Sequence, residues 1–231
     1  MAVISNWNYS HSYYKMTYIF QTMLPKLKEK YDYRKALKTL FNPPTKIPEL
    51  VTVPPMQFLS IEGHGSPNDN TEFEAAVSAL YGCAYTIKFA RKKAGLEPDY
   101  GVQPLEGLWW VDKVDSVNYL TVPQSQWRWR LLIGQPDFVT LSELESAKPE
   151  ILKKKGQDVS AVRLERFDEG LCVQILYIGP YANEHPTIAR MHEWAKEQGY
   201  ALQGLHHEIY LGDPRKTAPE KLKTILRQPV R

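Results

Sequence analysis

The hydrophobic and polar positions along this chain change period several times, and each change marks an element. Gln57–Glu62 is a short apolar run stopped by Gly63, Gly65 and Pro67, which predicts a strand and then a sharp turn. Phe73, Ala76, Val77, Leu80, Ala84 and Ile87 recur on one stripe from Thr71 to Ala94, which predicts a helix; Thr71 and Glu74 have the form of a capping box and Gly95 is the stop. Strands follow around Glu106–Asp112 and Gln126–Gln135. The same order then recurs. Leu171–Ile178 reads as a strand broken at Gly179-Pro180, and Glu184–Gln198 as a helix with Ile188, Met191 and Ala195 inward. Leu205–Leu211 and Leu222–Val230 read as strands. Between the halves, Leu141–Lys155 reads as an extra helix and Ala161–Phe167 as a strand.

The chain therefore runs β-α-β-β twice. Ile61-Glu62-Gly63 echoes Tyr177-Ile178-Gly179, and Gly107 to Asp112 echoes Glu208 to Asp213. Two such units with helices over one sheet face predict an α+β fold, a pseudo-twofold tandem repeat of β-α-β-β units with a central cleft where the halves meet. Ahead of them, Lys26–Leu40 reads as a short helix with Leu27, Tyr31 and Leu37 as anchors, and Pro43-Pro44, Pro48 and Pro54-Pro55 impose extended chain. Residues 1–30 form an N-terminal extension expected to be loosely ordered, and residues 31–231 the folded domain.

Candidate chemistry concentrates on the strand that begins at His206. Alternation puts His206, Glu208 and Tyr210 on one face and His207, Ile209 and Leu211 on the other. A carboxylate among aromatics on a strand suits work inside a pocket, because partial desolvation makes it a general base near neutral pH or a seat for a cation. The same residues also fit an exposed glutamate paired with a lysine or arginine, and the pattern alone leaves both readings open. Trp109 and Trp110 point to opposite faces of one strand. The internal echo pairs Trp109 with Tyr210, which argues for Trp109 in the cleft and Trp110 in the core, although a pseudo-twofold groove has a use for either. Tyr177, near a strand end, can stack on a planar ligand or donate to a developing oxyanion, or serve as a core tyrosine. Trp127 and Trp129 alternate with Arg128 and Arg130, the mark of a strand with one buried and one wet face, and are read as structural.

Composition narrows the classes. With 43% hydrophobic residues, six Trp and fourteen Tyr in 231 residues, the chain has ample material for a core and for an aromatic-lined cavity. A formal charge of +3 from 29 basic and 26 acidic residues does not indicate nucleic-acid binding. The runs Arg91-Lys92-Lys93 and Lys153-Lys154-Lys155 fall at helix ends and are read as solvated surface. No apolar run reaches the length of a membrane span and the N-terminus lacks the order of a signal peptide, so a cytoplasmic location is expected. Cys83 and Cys172 lie in apolar segments and are expected as buried free thiols. The histidines lack metal-ligand spacing, since His206 and His207 diverge and His185 with His192 want a third ligand. There is no Gly-x-Ser-x-Gly elbow and no phosphate loop, and no metal or cofactor is expected.

The succession Gly-Leu-Trp-Trp at Gly107–Trp110, Gln-Pro-Asp at Gln135–Asp137, Ile-Gly-Pro-Tyr at Ile178–Tyr181, His-Glu-Ile-Tyr-Leu at His207–Leu211 and Asp-Pro-Arg at Asp213–Arg215 resembles the stand-alone GyrI-like proteins. These are similar to the effector-binding domains of multidrug-responsive transcription activators. The resemblance implies an aromatic cleft between two β-α-β-β units with a glutamate on a strand of the second half, the position of Glu208 here. It also implies a small-molecule ligand that is bulky, planar and hydrophobic or cationic. Some members look like hydrolases of cyclopropane-bearing genotoxic antibiotics, so the expectation is a detoxifying hydrolase with Glu208, Tyr210 and Tyr177 as catalytic residues and Trp109 and Trp110 beside them as ligand contacts. The alternative is a non-catalytic drug-binding or effector-sensing module.

Overall fold

The computed structural model describes residues 30–68, 70–114 and 121–231, so nearly all of the expected N-terminal extension lies outside the described residues. Within them, eight strands form one antiparallel sheet: β1 (Glu49–Val53), β2 (Met56–His64), β3 (Leu105–Trp110), β4 (Arg128–Gln135), β5 (Arg163–Phe167), β6 (Gly170–Ile178), β7 (His206–Tyr210) and β8 (Lys223–Pro229). Their order across the sheet is β1-β6-β8-β7-β3-β4-β2-β5. Read outward from the β3·β7 pair, each side meets the second, third and first strands of a β-α-β-β unit in turn. β1 and β5 extend the two edges.

Three longer helices cover one face: α3 (Thr71–Lys93), α4 (Leu141–Lys155) and α5 (His185–Glu197). Leu59, Trp129, Leu131 and Ile133 of the sheet pack with Ala76, Leu80 and Ile87 of α3, and Leu144 and Ile151 of α4 join the same core. Val173, Ile175 and Leu226 pack separately with Ile188, Met191 and Ala195 of α5. The helices thus cover the two halves of the sheet and leave its centre between them. Two single-turn helices, α1 (Tyr33–Ala36) and α2 (Lys38–Phe41), contribute Tyr33, Leu40 and Phe41 to a third cluster with Leu108, Ile209 and Ile225 of the opposite face.

Several local expectations are corrected. Of the helix anticipated over Lys26–Leu40, residues 26–29 lie outside the described residues; the rest is these two turns, interrupted at Leu37 (φ −117°), and Tyr31 instead bridges to Tyr100. The cap of α3 is Asn70, whose side chain accepts from the amides of Glu72 and Phe73; Thr71 is the first helical residue. Gly63 lies inside β2, where a Cβ would stand 2.1 Å from the Trp129 ring, so its bare backbone is what lets that indole pack. The turn falls two residues later, at Gly65 with φ +92°. Arg91 is buried rather than solvated, paired with Glu143 at 2.6 Å and lying over the Phe138 ring. The α4 helix spans Leu141–Lys155 as expected, closed by a Thr140–Glu143 capping box and by Gly156 in the left-handed region.

Candidate functional site

The seam between the halves has one register: Glu106 opposite Ile209, Gly107 opposite Glu208, Leu108 opposite His207 and Trp109 opposite His206. Cross-strand partners share a face, so Gly107, Trp109, His206, Glu208 and Tyr210 lie together. Trp109 packs in the α3 core, and Leu226, the β8 partner of Glu208, packs in the α5 core. Glu208 therefore stands on the helix-covered face between α3 and α5, with its side chain 13% exposed.

A chain of hydrogen bonds fixes it. The Trp109 indole N–H donates to the Tyr210 hydroxyl at 3.1 Å, and that hydroxyl donates to Glu208 Oε2 at 2.7 Å. Gly107 makes room for this chain, because a Cβ there would lie 2.9 Å from Trp109 Nε1 and 3.3 Å from the Tyr210 oxygen. His206 Nε2 lies 3.5 Å from Glu208 Oε1 on the other side. Around them Phe73 stacks on Trp109 at 6.1 Å, Trp127 meets Trp109 edge-on at 5.7 Å, and Tyr181 meets Tyr210 edge-on at 5.4 Å. Burial, then the charge and hydrogen bond of Glu208, pushes the Tyr210 hydroxyl well above its ordinary value. Tyr210 therefore remains a donor at any ordinary pH.

Glu184, just before α5, shares this environment. It is 2% exposed, and burial followed by the Glu208 charge raises its carboxyl to about 9, against a smaller downward pull from the Thr224 hydroxyl. Tyr181 is pushed up to about 12 by burial, with Glu184 and Glu208 adding to it. His192 of α5, 6.2 Å from His206 between ring centroids, is brought down to about 3 by burial and stays neutral.

The opposite face of the seam carries a sealed ionic network. His207 Nε2 lies 3.0 Å from Glu106 and its Nδ1 2.9 Å from Glu169, which is 3.2 Å from Arg227. Arg227 also donates to Gln174 and to the Leu40 carbonyl, tying the network to α2. Burial alone would lower His207, but Glu169 and Glu106 outweigh it and lift the imidazole to about 9. Burial alone would raise Glu169, but His207 and Arg227 bring it down to about 2. Among the described residues no group of three His, Cys, Asp or Glu side chains is arranged to hold a metal ion.

Of the five residues singled out from sequence, Glu208, Tyr210 and Trp109 come together. Trp110 falls on the opposite face, half-exposed, with its indole N–H donating to Asp112 at 3.2 Å. That corrects its place as a contact beside Glu208. Tyr177 shares the Glu208 face through the register Tyr177–Thr224–Tyr210, but its hydroxyl donates to the Pro180 carbonyl at 3.0 Å. Sequence reasoning missed Glu184, Phe73 and Tyr181 as neighbours of the site. An acidic residue at the head of a helix reads as an ordinary complement to the dipole, which masked Glu184. Tyr181 carried a usable signal, since it closes the Ile-Gly-Pro-Tyr motif.

Residues 138–231 match the family model described as a GyrI-like small molecule binding domain. No protein with a curated description matches the chain. Among solved structures, an uncharacterized conserved protein from Listeria innocua is 43% identical, with a TM-score of 0.80 over 87% of this chain and 100% of its own. A Listeria innocua protein described as a hydrolase is 42% identical, with a TM-score of 0.76 over 87% and 100% of the two chains. The C-terminal domain of EcmrR, at 15% identity and a TM-score of 0.50 over 80% of this chain and 96% of its own, shares the fold. Among the described residues no helix is long and apolar enough to cross a membrane. The β-α-β-β order, the glutamate on β7 among aromatic rings and the close relatives over most of the sequence agree: this chain belongs to the GyrI-like small-molecule-binding domain family.

Proposed function

We propose that the cleft between α3 and α5 takes bulky, planar, apolar compounds and hydrolyses those that carry a strained, electrophilic cyclopropane, a detoxifying activity. The observation that carries this reading is Glu208: a carboxylate 13% exposed, ringed by aromatic side chains and held at one oxygen by Tyr210. Its relatives from Listeria innocua described as hydrolases, 42% and 41% identical, support turnover. Glu208 takes a proton from a water as the water's oxygen bonds to the ring carbon; the strained carbon–carbon bond breaks, and its electron pair passes into the electrophilic group, which then takes up a proton. Tyr210 orients the carboxylate, because its own hydroxyl is committed to donating. Tyr177, bonded to Pro180, is left a stacking role at most. Phe73 and Tyr181 offer faces and edges to a flat ligand, and Trp109, buried behind them, holds Tyr210 in place. Ring strain makes the step undemanding, so positioning and one base suffice and no cofactor is called for.

The family description favours a second reading, in which the same cleft binds a small molecule without turnover; a carboxylate there also suits a cationic ligand. Chromatography of a cyclopropane-bearing alkylator, incubated with the wild-type protein and with Glu208→Gln, separates the two. Ring-opened product that grows catalytically and disappears in the variant is the expected result. Unchanged compound that still quenches tryptophan fluorescence would leave the binding module.

A further inference from the structure

Glu184 does not behave as an acid at a helix start usually does. Such residues turn to the first-turn amides or to water. Glu184 makes no capping bond with its side chain, and its Oε1 is buried without a hydrogen-bond partner among the described residues. It turns to the sheet instead, towards Thr224 of β8, whose cross-strand neighbour is Tyr210. The titratable groups that face it are Tyr177 of β6, Tyr181 of the turn before α5, and Glu208 and Tyr210 of β7. None of these is a cation.

Building on the hydrolytic reading of the cleft, we propose that Glu184 is the proton donor of the ring opening, acting with Glu208 as the base. Two carboxyls that share a site do not both ionise easily, and the more buried one keeps its proton. Glu184, raised to about 9, is that one. Atoms and charges then balance without another reactant. Glu208 accepts a proton from water as the oxygen bonds to the ring carbon. The carbon–carbon bond breaks, and its electron pair passes through the conjugated system to the carbonyl oxygen. Glu184 gives that oxygen its proton, yielding a phenol-type hydroxyl. Proton exchange between the carboxyls, directly or through solvent, restores both, for a net addition of water. The substrates that benefit are therefore cyclopropanes conjugated to a carbonyl, whose departing charge collects on oxygen.

Infrared difference spectra across pH, with Glu184→Gln as reference, read the donor directly, and rate against pH for a dienone-fused cyclopropane reads its use. We expect a protonated-carboxyl band at pH 7 that Glu184→Gln lacks. We also expect a rate that falls as pH rises through about 9 in wild type, and a variant slower by roughly 100-fold or more without that limb. Thr224→Val, which removes the downward pull on Glu184, should move the limb to higher pH. Absence of the band at pH 7, an unmoved limb in Thr224→Val, or a Glu184→Gln protein with wild-type rate and limb each overturns the role. Wild-type protein without turnover overturns the hydrolytic reading and this role together, whereas turnover lost in Glu208→Gln but kept in Glu184→Gln overturns the donor alone.

Discussion

Glu208 and His207 are neighbours on one strand, and they face environments of opposite design. Behind the sheet, His207 and Arg227 alternate with Glu106 and Glu169, each contact at 3.2 Å or less, and the group is shut off from water. In front, on the helix side of the sheet, Glu184 and Glu208 have no lysine or arginine bridged to either among the described residues, and aromatic rings stand around Glu208 in place of counter-charges. Both regions bury ionisable groups. The difference is that the back face pairs them with opposite charges, whereas the front face leaves one carboxyl neutral and another reachable. Buried charge by itself therefore does not mark a working site; charge left for something else to satisfy does.

The strongest way to break this contrast is to unpair the back face. Arg227→Met leaves Glu169 without one of its two partners and should cost about 3–5 kcal/mol in urea unfolding. Glu208→Gln should change stability by less than about 1 kcal/mol while abolishing turnover. An Arg227→Met protein as stable as wild type would erase the distinction. Next in size is Gly107→Ala, whose methyl group collides with Trp109 Nε1 and the Tyr210 oxygen. It should cost about 1–3 kcal/mol and weaken ligand binding at least about tenfold by tryptophan quenching.

Calorimetry across pH sharpens the comparison. Glu169 lies at about 2 in the fold against 4.5, so its contribution is full above 4.5 and is lost as pH falls towards 2. His207 lies at about 9 against 6.5, so its contribution is full below 6.5 and is lost as pH rises through about 9. Glu184 works the other way from Glu169. Raised from 4.5 to about 9, it holds a proton that the unfolded chain has released, and so weakens the fold across that window. Glu184→Gln should flatten the alkaline decline, keep the acid limb and gain on the order of 1 kcal/mol near pH 8. A decline as steep as the wild-type one would mean that the front carboxyl carries no such penalty. The smallest expected effect is at the paired indoles: Trp110→Phe should leave ligand affinity within about twofold, and Trp109→Phe should lower it several-fold, by about 1 kcal/mol or more for the lost bond to Tyr210.

Much of this architecture was legible in the chain, for identifiable reasons. The α3 stripe and the repeated β-α-β-β order are local patterns, and alternation alone puts Glu208 with Tyr210. β1 escaped notice because Pro48 and Pro54-Pro55 flank its five residues and read as extended coil. The choice between Trp109 and Trp110 needed the β3·β7 register, which neither strand specifies by itself. The ionic network was hidden for a related reason. Its members, Glu106, Glu169, His207 and Arg227, are scattered over more than a hundred residues and meet only when the halves join. Arg91 reads as one more cation at a lysine-rich helix end, because Glu143 and Phe138, which hold it, come from about fifty residues further along the chain.

The β3·β7 pairing has a further consequence. With His206, His207 and Glu208 in succession, β7 offers polar side chains to both faces, so its hydrophobic pattern is a weak guide to alignment. A slip of one residue would send Glu208 into the back and His207 into the cleft. The observed alignment brings His207 between Glu106 and Glu169, and that one-residue slip would leave both carboxylates without it in a dry interior. The network behind the sheet thus acts as a proofreader of assembly: it penalises misaligned chains, and what it protects is the glutamate on the other side.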